Sequence, residues 1–137
     1  MESRGQKSDT IEATIHYGGV DPNFKSEGSP ETKFSDLSQD FHVFRFEWDN
    51  TVMVWAVDGK EYYKTNINRN LWSGKGSNPY TGPGQPFDKP FYLILNVAVG
   101  GDFFPVADYG NQVTPSEAQH WSKPSLEIDY LKVYQDF

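Results

Sequence analysis

At 137 residues the chain is long enough for one domain with a real core and too short for two ordinary ones. A net charge of −7 argues against nucleic acid and anionic membrane surfaces as partners, and the lack of any cysteine excludes a disulfide framework and a thiolate metal site. No apolar run approaches membrane-spanning length, and the opening Met1-Glu2-Ser3-Arg4 does not begin a signal peptide.

Taken in order, residues 1–8 are polar and read as a frayed start. Ile11, Ala13, Ile15 and Tyr17 alternate with Glu12, Thr14 and His16, the period of a strand with one covered face, and Gly18-Gly19 ends it. Residues 21–39, rich in Ser, Pro, Gly and charge, read as a long solvated loop with a short strand near Thr32 to Phe34. His42, Phe44, Phe46 and Trp48 then alternate with Val43, Arg45 and Glu47. Asp49-Asn50 turns the chain into a strand over residues 51–57. Asp58-Gly59 is the strongest hairpin signal present, because both central residues of such a turn need positive φ, and residues 60–65 return. Residues 41–65 are thus predicted to be a three-stranded antiparallel meander.

Residues 66–88 form a long irregular stretch carrying Trp72, Tyr80 and Phe87. A loop of that length within a domain is either functional or a surface segment pinned by its rings. Pro90 precedes an almost unbroken apolar run, Phe91 to Ala98, of the kind that suits a strand buried on both faces, with Asn96 as its one polar side chain. Gly100-Gly101 closes the run beside Phe103 and Phe104. It reads either as a central core strand with a tight exit or as the floor and lip of a cleft. Residues 116–120 suggest a helical turn, and alternation over residues 125–134 predicts a last strand. About six strands and no convincing helix argue for a β-sandwich or jelly roll, yet the strands are too few for two stacked sheets and their edges want partners.

The three histidines, at 16, 42 and 120, have no zinc-like spacing. No phosphate-binding loop opens a helix, and no serine sits at a nucleophile elbow. Carboxylates and surplus rings remain, aromatics being 16% of the chain, which is the chemistry by which glycosidases stack a sugar and cleave its acetal.

Met1-Glu2-Ser3-Arg4-Gly5 resembles the end of the active-site strand of glycoside hydrolase family 16, laminarinase type, whose pattern Glu-x-Asp-x-x-Glu is commonly followed by Ser-Arg-Gly. Thr14 to Gly19, Asp40 to Val43 with Glu47-Trp48, Val57 to Gly59, Lys89 to Gly101 and Ile128 to Tyr134 resemble later strands of that family in the same order. The resemblance implies an all-β, concanavalin A-like jelly-roll sandwich, with residues 1–137 its C-terminal part. It also implies a retaining endo-β-1,3-glucanase with Glu2 as general acid/base and its nucleophile upstream of Met1. A general acid must hold its proton near neutral pH, which needs a neighbouring carboxylate or an apolar wall. The alternating parity of that motif also requires a bulge.

The resemblance further places His16, Tyr17, Trp72, Asn96 and Phe103 as candidate sugar contacts. Asp129 resembles a position that helps hold a structural calcium in some members. No cofactor is required for the chemistry, the partner is a β-glucan polysaccharide, and the parent is expected to be a secreted monomer. The other reading is a β-1,3-glucan recognition protein that keeps the fold for binding alone.

Overall fold

The computed structural model describes residues 1–99, 106–109 and 113–135, in two compact units, residues 1–91 and 92–137. The first unit holds eight strands: β1 (Glu2–Arg4), β2 (Lys7–Glu12), β3 (Thr14–Gly18), β4 (Phe24–Gly28), β5 (Thr32–Lys33), β6 (Phe44–Trp48), β7 (Val52–Val57) and β8 (Lys60–Asn66). Their hydrogen-bonded order is β1-β2-β5, β3-β4 and β6-β7-β8, and every pairing is antiparallel. The all-β class expected from the alternation is therefore what forms.

The meander forms as its turn residues demand. Asp58 adopts φ 49° and Gly59 φ 80°, the paired positive values of a tight two-residue hairpin. Asp58 also fastens the hairpin to the chain entering β6, since its carboxylate accepts from Val43 N at 2.9 Å and lies 2.7 Å from His42 Nδ1. These bonds hold its carboxyl below the usual carboxylate range, the His42 contact contributing most. Phe46, Trp55 and Tyr63 sit in register across the three strands, with ring centroids 4.9 Å and 5.2 Å apart.

The core lies between this sheet and the first strands. Ala13 and Ile15, the apolar positions of the predicted period-two pattern, pack with Met53, Trp55, Ile67 and Leu71. The long strand expected over residues 11–17 is interrupted at Ala13, whose N–H is taken by Ser29 Oγ at 3.0 Å and whose carbonyl accepts Ser29 N at 2.8 Å. β2 thus ladders with β1 and β5, and β3 with β4.

Several expectations are corrected. Residues 1–8 are not frayed, since Glu2–Arg4 and Lys7–Glu12 pair as β1 and β2. The stretch 21–39 is not one solvated loop. Its polar residues form β4, which pairs along all of β3, and the short strand expected near Thr32 is β5. Ladder hydrogen bonds come from the backbone, so a strand with one solvated face can be built from Lys, Ser and Glu.

The largest departure is the apolar run at 91–98. It forms no strand, and its side chains are exposed, Tyr92 at 96%. A strand buried on both faces needs a hydrogen-bonded neighbour on each side and cover above and below, and no sheet among the described residues includes this segment. The same holds for residues 125–134, expected as the last strand and likewise exposed and outside any ladder. In the second unit two short helices occur, α1 (Val106–Tyr109) and α2 (Pro115–Ala118). The latter is the helical turn expected near Ser116, set by a capping box in which Thr114 and Glu117 satisfy each other's backbone N–H.

Candidate active site

Glu2 opens β1 and stands directly opposite Glu12 on β2. Paired residues project to the same face, so Glu2 shares the face of Glu12, the face away from buried Ile11, Ala13 and Ile15. His16, on β3, lies on that same outward side, four residues beyond Glu12, or about 13 Å along an extended chain. Both Glu2 and His16 are exposed, and the His16 ring sits 6.5 Å from that of Phe24.

The register between β1 and β2 shifts between Glu2 and Arg4. The irregularity is thus found just after Glu2. Arg4 is drawn in beside the ladder, where its guanidinium reaches Glu12 at 2.9 Å and Glu31 at 2.5 Å, and Lys7 joins Glu31 at 2.9 Å. Arg4 and Lys7 of the opening hairpin therefore neutralise Glu12 and Glu31. Glu12 is thus committed to Arg4, whereas Glu2 is exposed to solvent.

Tyr17 occupies the opposite side of β3. It packs against the core, its hydroxyl lies 3.4 Å from Glu27 Oε2, and the Arg69 guanidinium covers its ring at 5.4 Å. It belongs to a polar cluster that sequence reasoning missed. Glu27, on β4, also accepts from Thr65 Oγ1, from Arg69 Nη2 at 2.5 Å and from Tyr63 OH at 3.5 Å, tying β3 and β4 to β8 and the segment after it. Only pairing β4 with β3 makes Glu27 visible, and the run Lys25-Ser26-Glu27-Gly28 gives no hydrophobic signal of a strand.

The Thr65 hydroxyl, followed by the Arg69 charge, lowers the Glu27 pKa. A carboxyl whose folded pKa is depressed contributes stability that is full above its unfolded value and is lost as pH falls through the folded value. Urea midpoints are thus expected to drop as pH falls below about 4.5, the ordinary value for a glutamate carboxyl. Glu27→Gln should flatten that acid limb, and an unaltered limb would assign it to other carboxyls.

Trp72 anchors the long loop. Its ring lies edge-on to Tyr80 at 5.5 Å, and its indole N–H is buried with no hydrogen-bond partner among the described residues. The ring folds over Gly74, where an added Cβ would come within 2.2 Å of Trp72 Cζ2. Gly18, at φ 92°, admits Ser73 equally closely, and Ser73 Oγ then donates to Asn23 O at 2.5 Å and accepts from Gly19 N at 3.3 Å. Of the two readings of this loop, pinning by its rings is the one that Trp72 fulfils.

The remaining predicted site residues are not gathered with these. Asn96 is exposed in the second unit, outside any strand, and Phe103 lies outside the described residues. Asp129 is exposed, and the described residues assemble no group of three or more carboxylates or imidazoles.

The family model for glycosyl hydrolases family 16 matches residues 1–123. The chain belongs to glycosyl hydrolases family 16. It is 39% identical over 132 residues to a glucan endo-1,3-beta-glucosidase of Cryptopygus antarcticus, covering 96% of this chain and 46% of that protein. It is 36% identical over 140 residues to glucan endo-1,3-beta-glucosidase A1 of Niallia circulans, covering 99% of this chain and 18% of that protein. It is also 36% identical over 104 residues to a beta-1,3-glucan-binding protein of Penaeus monodon, covering 67% of this chain and 28% of that protein. The chain thus spans less than half the length of these curated relatives. This family 16 chain has a jelly-roll relationship in its antiparallel, nearly all-β build, and no helix among its described residues is long and apolar enough to cross a membrane.

Proposed function

We propose that this family 16 chain is the C-terminal part of a retaining endo-β-1,3-glucanase domain in which Glu2 is the general acid/base. The observation that carries the proposal is the placement of Glu2: in the sequence Glu2-Ser3-Arg4-Gly5, on a strand, exposed, on the outward face it shares with His16. In the first step the Glu2 carboxylic acid gives its proton to the glycosidic oxygen while an upstream carboxylate attacks the anomeric carbon and the C–O bond breaks. In the second, the Glu2 carboxylate takes a proton from water, whose oxygen attacks the same carbon and releases the upstream carboxylate. Retention calls for carboxyls about 5–5.5 Å apart.

The exposed apolar run at 91–98 supports the same reading. A segment with that pattern fits a sandwich whose other strands are contributed by the remaining length of a family domain. The substrate is then a laminarin-like β-1,3-glucan, and such polymers place the enzyme outside the cell. The relative named for glucan binding supports a second reading, in which the fold binds glucan without cleaving it. Reducing-sugar release from laminarin separates the two. Release by a protein carrying this chain joined to the upstream motif, and none by residues 1–137 alone, is the expected result. Laminarin binding without release by the longer protein would establish the binding reading instead.

A further inference from the structure

The long loop contains an open depression of about 330 Å³ lined by Asn70, Asn78, Tyr80, Thr81, Gly82 and Pro83. This size falls at the lower end of the range of about 300–1,000 Å³ usual for small-molecule sites. Every side chain that lines it is neutral, and most of the polar ones are primed to donate. Asn70 Oδ1 already accepts from Trp72 N at 3.0 Å and from Asn78 Nδ2 at 3.4 Å, while Asn70 Nδ2 makes no hydrogen bond among the described residues. Asn78 Oδ1 is taken by Tyr80 N at 2.9 Å, which leaves one Nδ2 hydrogen to give. Thr81 Oγ1 accepts from Gln85 Nε2 at 3.3 Å, so its own hydroxyl hydrogen is likewise available. The Tyr80 ring forms one wall. It is held at its hydroxyl by the Gly18 carbonyl, 3.2 Å away, and along its side by the edge-on Trp72 ring.

We propose that this depression is a secondary binding position for a glucosyl unit of a β-glucan chain. Uncharged amide and hydroxyl donors beside a fixed aromatic ring match a pyranose, whose hydroxyl oxygens accept and whose C–H face lies on a ring. Ions find no opposite charge here. The Tyr80 anchor on Gly18 sets the depression at the end of β3, the strand that carries His16. A polymer engaged at the proposed catalytic face is thereby offered a second hold on the same unit of the fold. The proposal rests on the glucan reading and adds a site to it, one that governs retention of long chains and takes no part in bond cleavage.

The test is native-gel retardation by graded laminarin, using the full-length protein and two variants. Gly82→Leu sets a bulky side chain on the lining of the depression, and because a Cβ there meets nothing within 4 Å the fold should be undisturbed. Asn70→Ala combined with Asn78→Ala removes the donors. Each variant is expected to need about tenfold more laminarin for half-maximal retardation, the size of losing one or two net hydrogen bonds. Unmodified protein that is retarded, with Gly82→Leu retarded equally, overturns the secondary site and leaves the family reading standing. Unmodified protein that laminarin does not retard overturns the glucan reading and this site with it.

Discussion

Replacing Glu2 by Gln in the full-length protein is expected to lower laminarin hydrolysis about 10²- to 10⁴-fold, the range for removing a general acid/base, while laminarin binding stays within about twofold. Glutamine keeps the size and the hydrogen-bonding reach of the carboxyl and loses its capacity to give up and take back a proton. Because Glu2 is exposed at the start of β1 and fills no part of the core, the substitution should leave stability unchanged within about 0.5 kcal/mol. Loss of turnover is then a statement about chemistry. Glu12→Gln is the control that the geometry supplies. Glu12 faces the same side but is held by Arg4, so its loss should weaken the opening hairpin and leave the substrate's proton donor in place. Turnover that survives Glu2→Gln, or falls as far in Glu12→Gln, would remove the assignment of Glu2.

The meander was legible because its signals are local. Asp58-Gly59 dictates a turn, and alternation over residues 42–48 dictates which of that strand's rings share a face. The face shared by Glu2 and His16 was less accessible, since the polar residues 1–8 carry no strand pattern and parity places Glu2 only once β1 is seen to pair with β2. Glu27 was hidden for the opposite reason. Its partners Thr65 and Arg69 lie 38 and 42 residues away, and only β3–β4 pairing brings them together. The run at 91–98 was misread by the same local logic. Hydrophobic continuity reports that a segment suits a buried strand, and whether it is one depends on neighbours that sequence pattern does not provide. Of the site, the acid/base candidate came from a resemblance in five consecutive residues, whereas the depression between Asn70 and Pro83 is a product of loop conformation and has no signature in composition or period.

Truncating Trp55 to Ala is expected to be the most destabilising single change in the first unit, at about 3–5 kcal/mol in urea unfolding of the full-length protein. Trp55 is only 4% exposed and links the two halves of the core, touching Phe46 and Tyr63 in its own sheet and packing with Ala13 and Ile15 from the first strands. Its removal leaves a cavity and breaks two ring pairs, each worth about 0.5–1.5 kcal/mol beyond area alone. The damage reaches the site because Ala13 and Ile15 hold the strand that presents His16, and Leu71, in the same cluster, fixes the start of the long loop. Trp48 supplies the contrast. It stacks on Phe46 at 5.2 Å but is 49% exposed, on an edge strand whose rings Phe44 and Phe46 are also half open. In residues 1–137 alone Trp48→Ala should cost about 1 kcal/mol or less, as expected of a surface ring pair. If the remaining length of a family domain covers the face of β6, the same substitution in the full-length protein should cost about 3 kcal/mol or more. An equal, small cost in both would mean that β6 stays open to solvent and that its ring face is not part of a sandwich core.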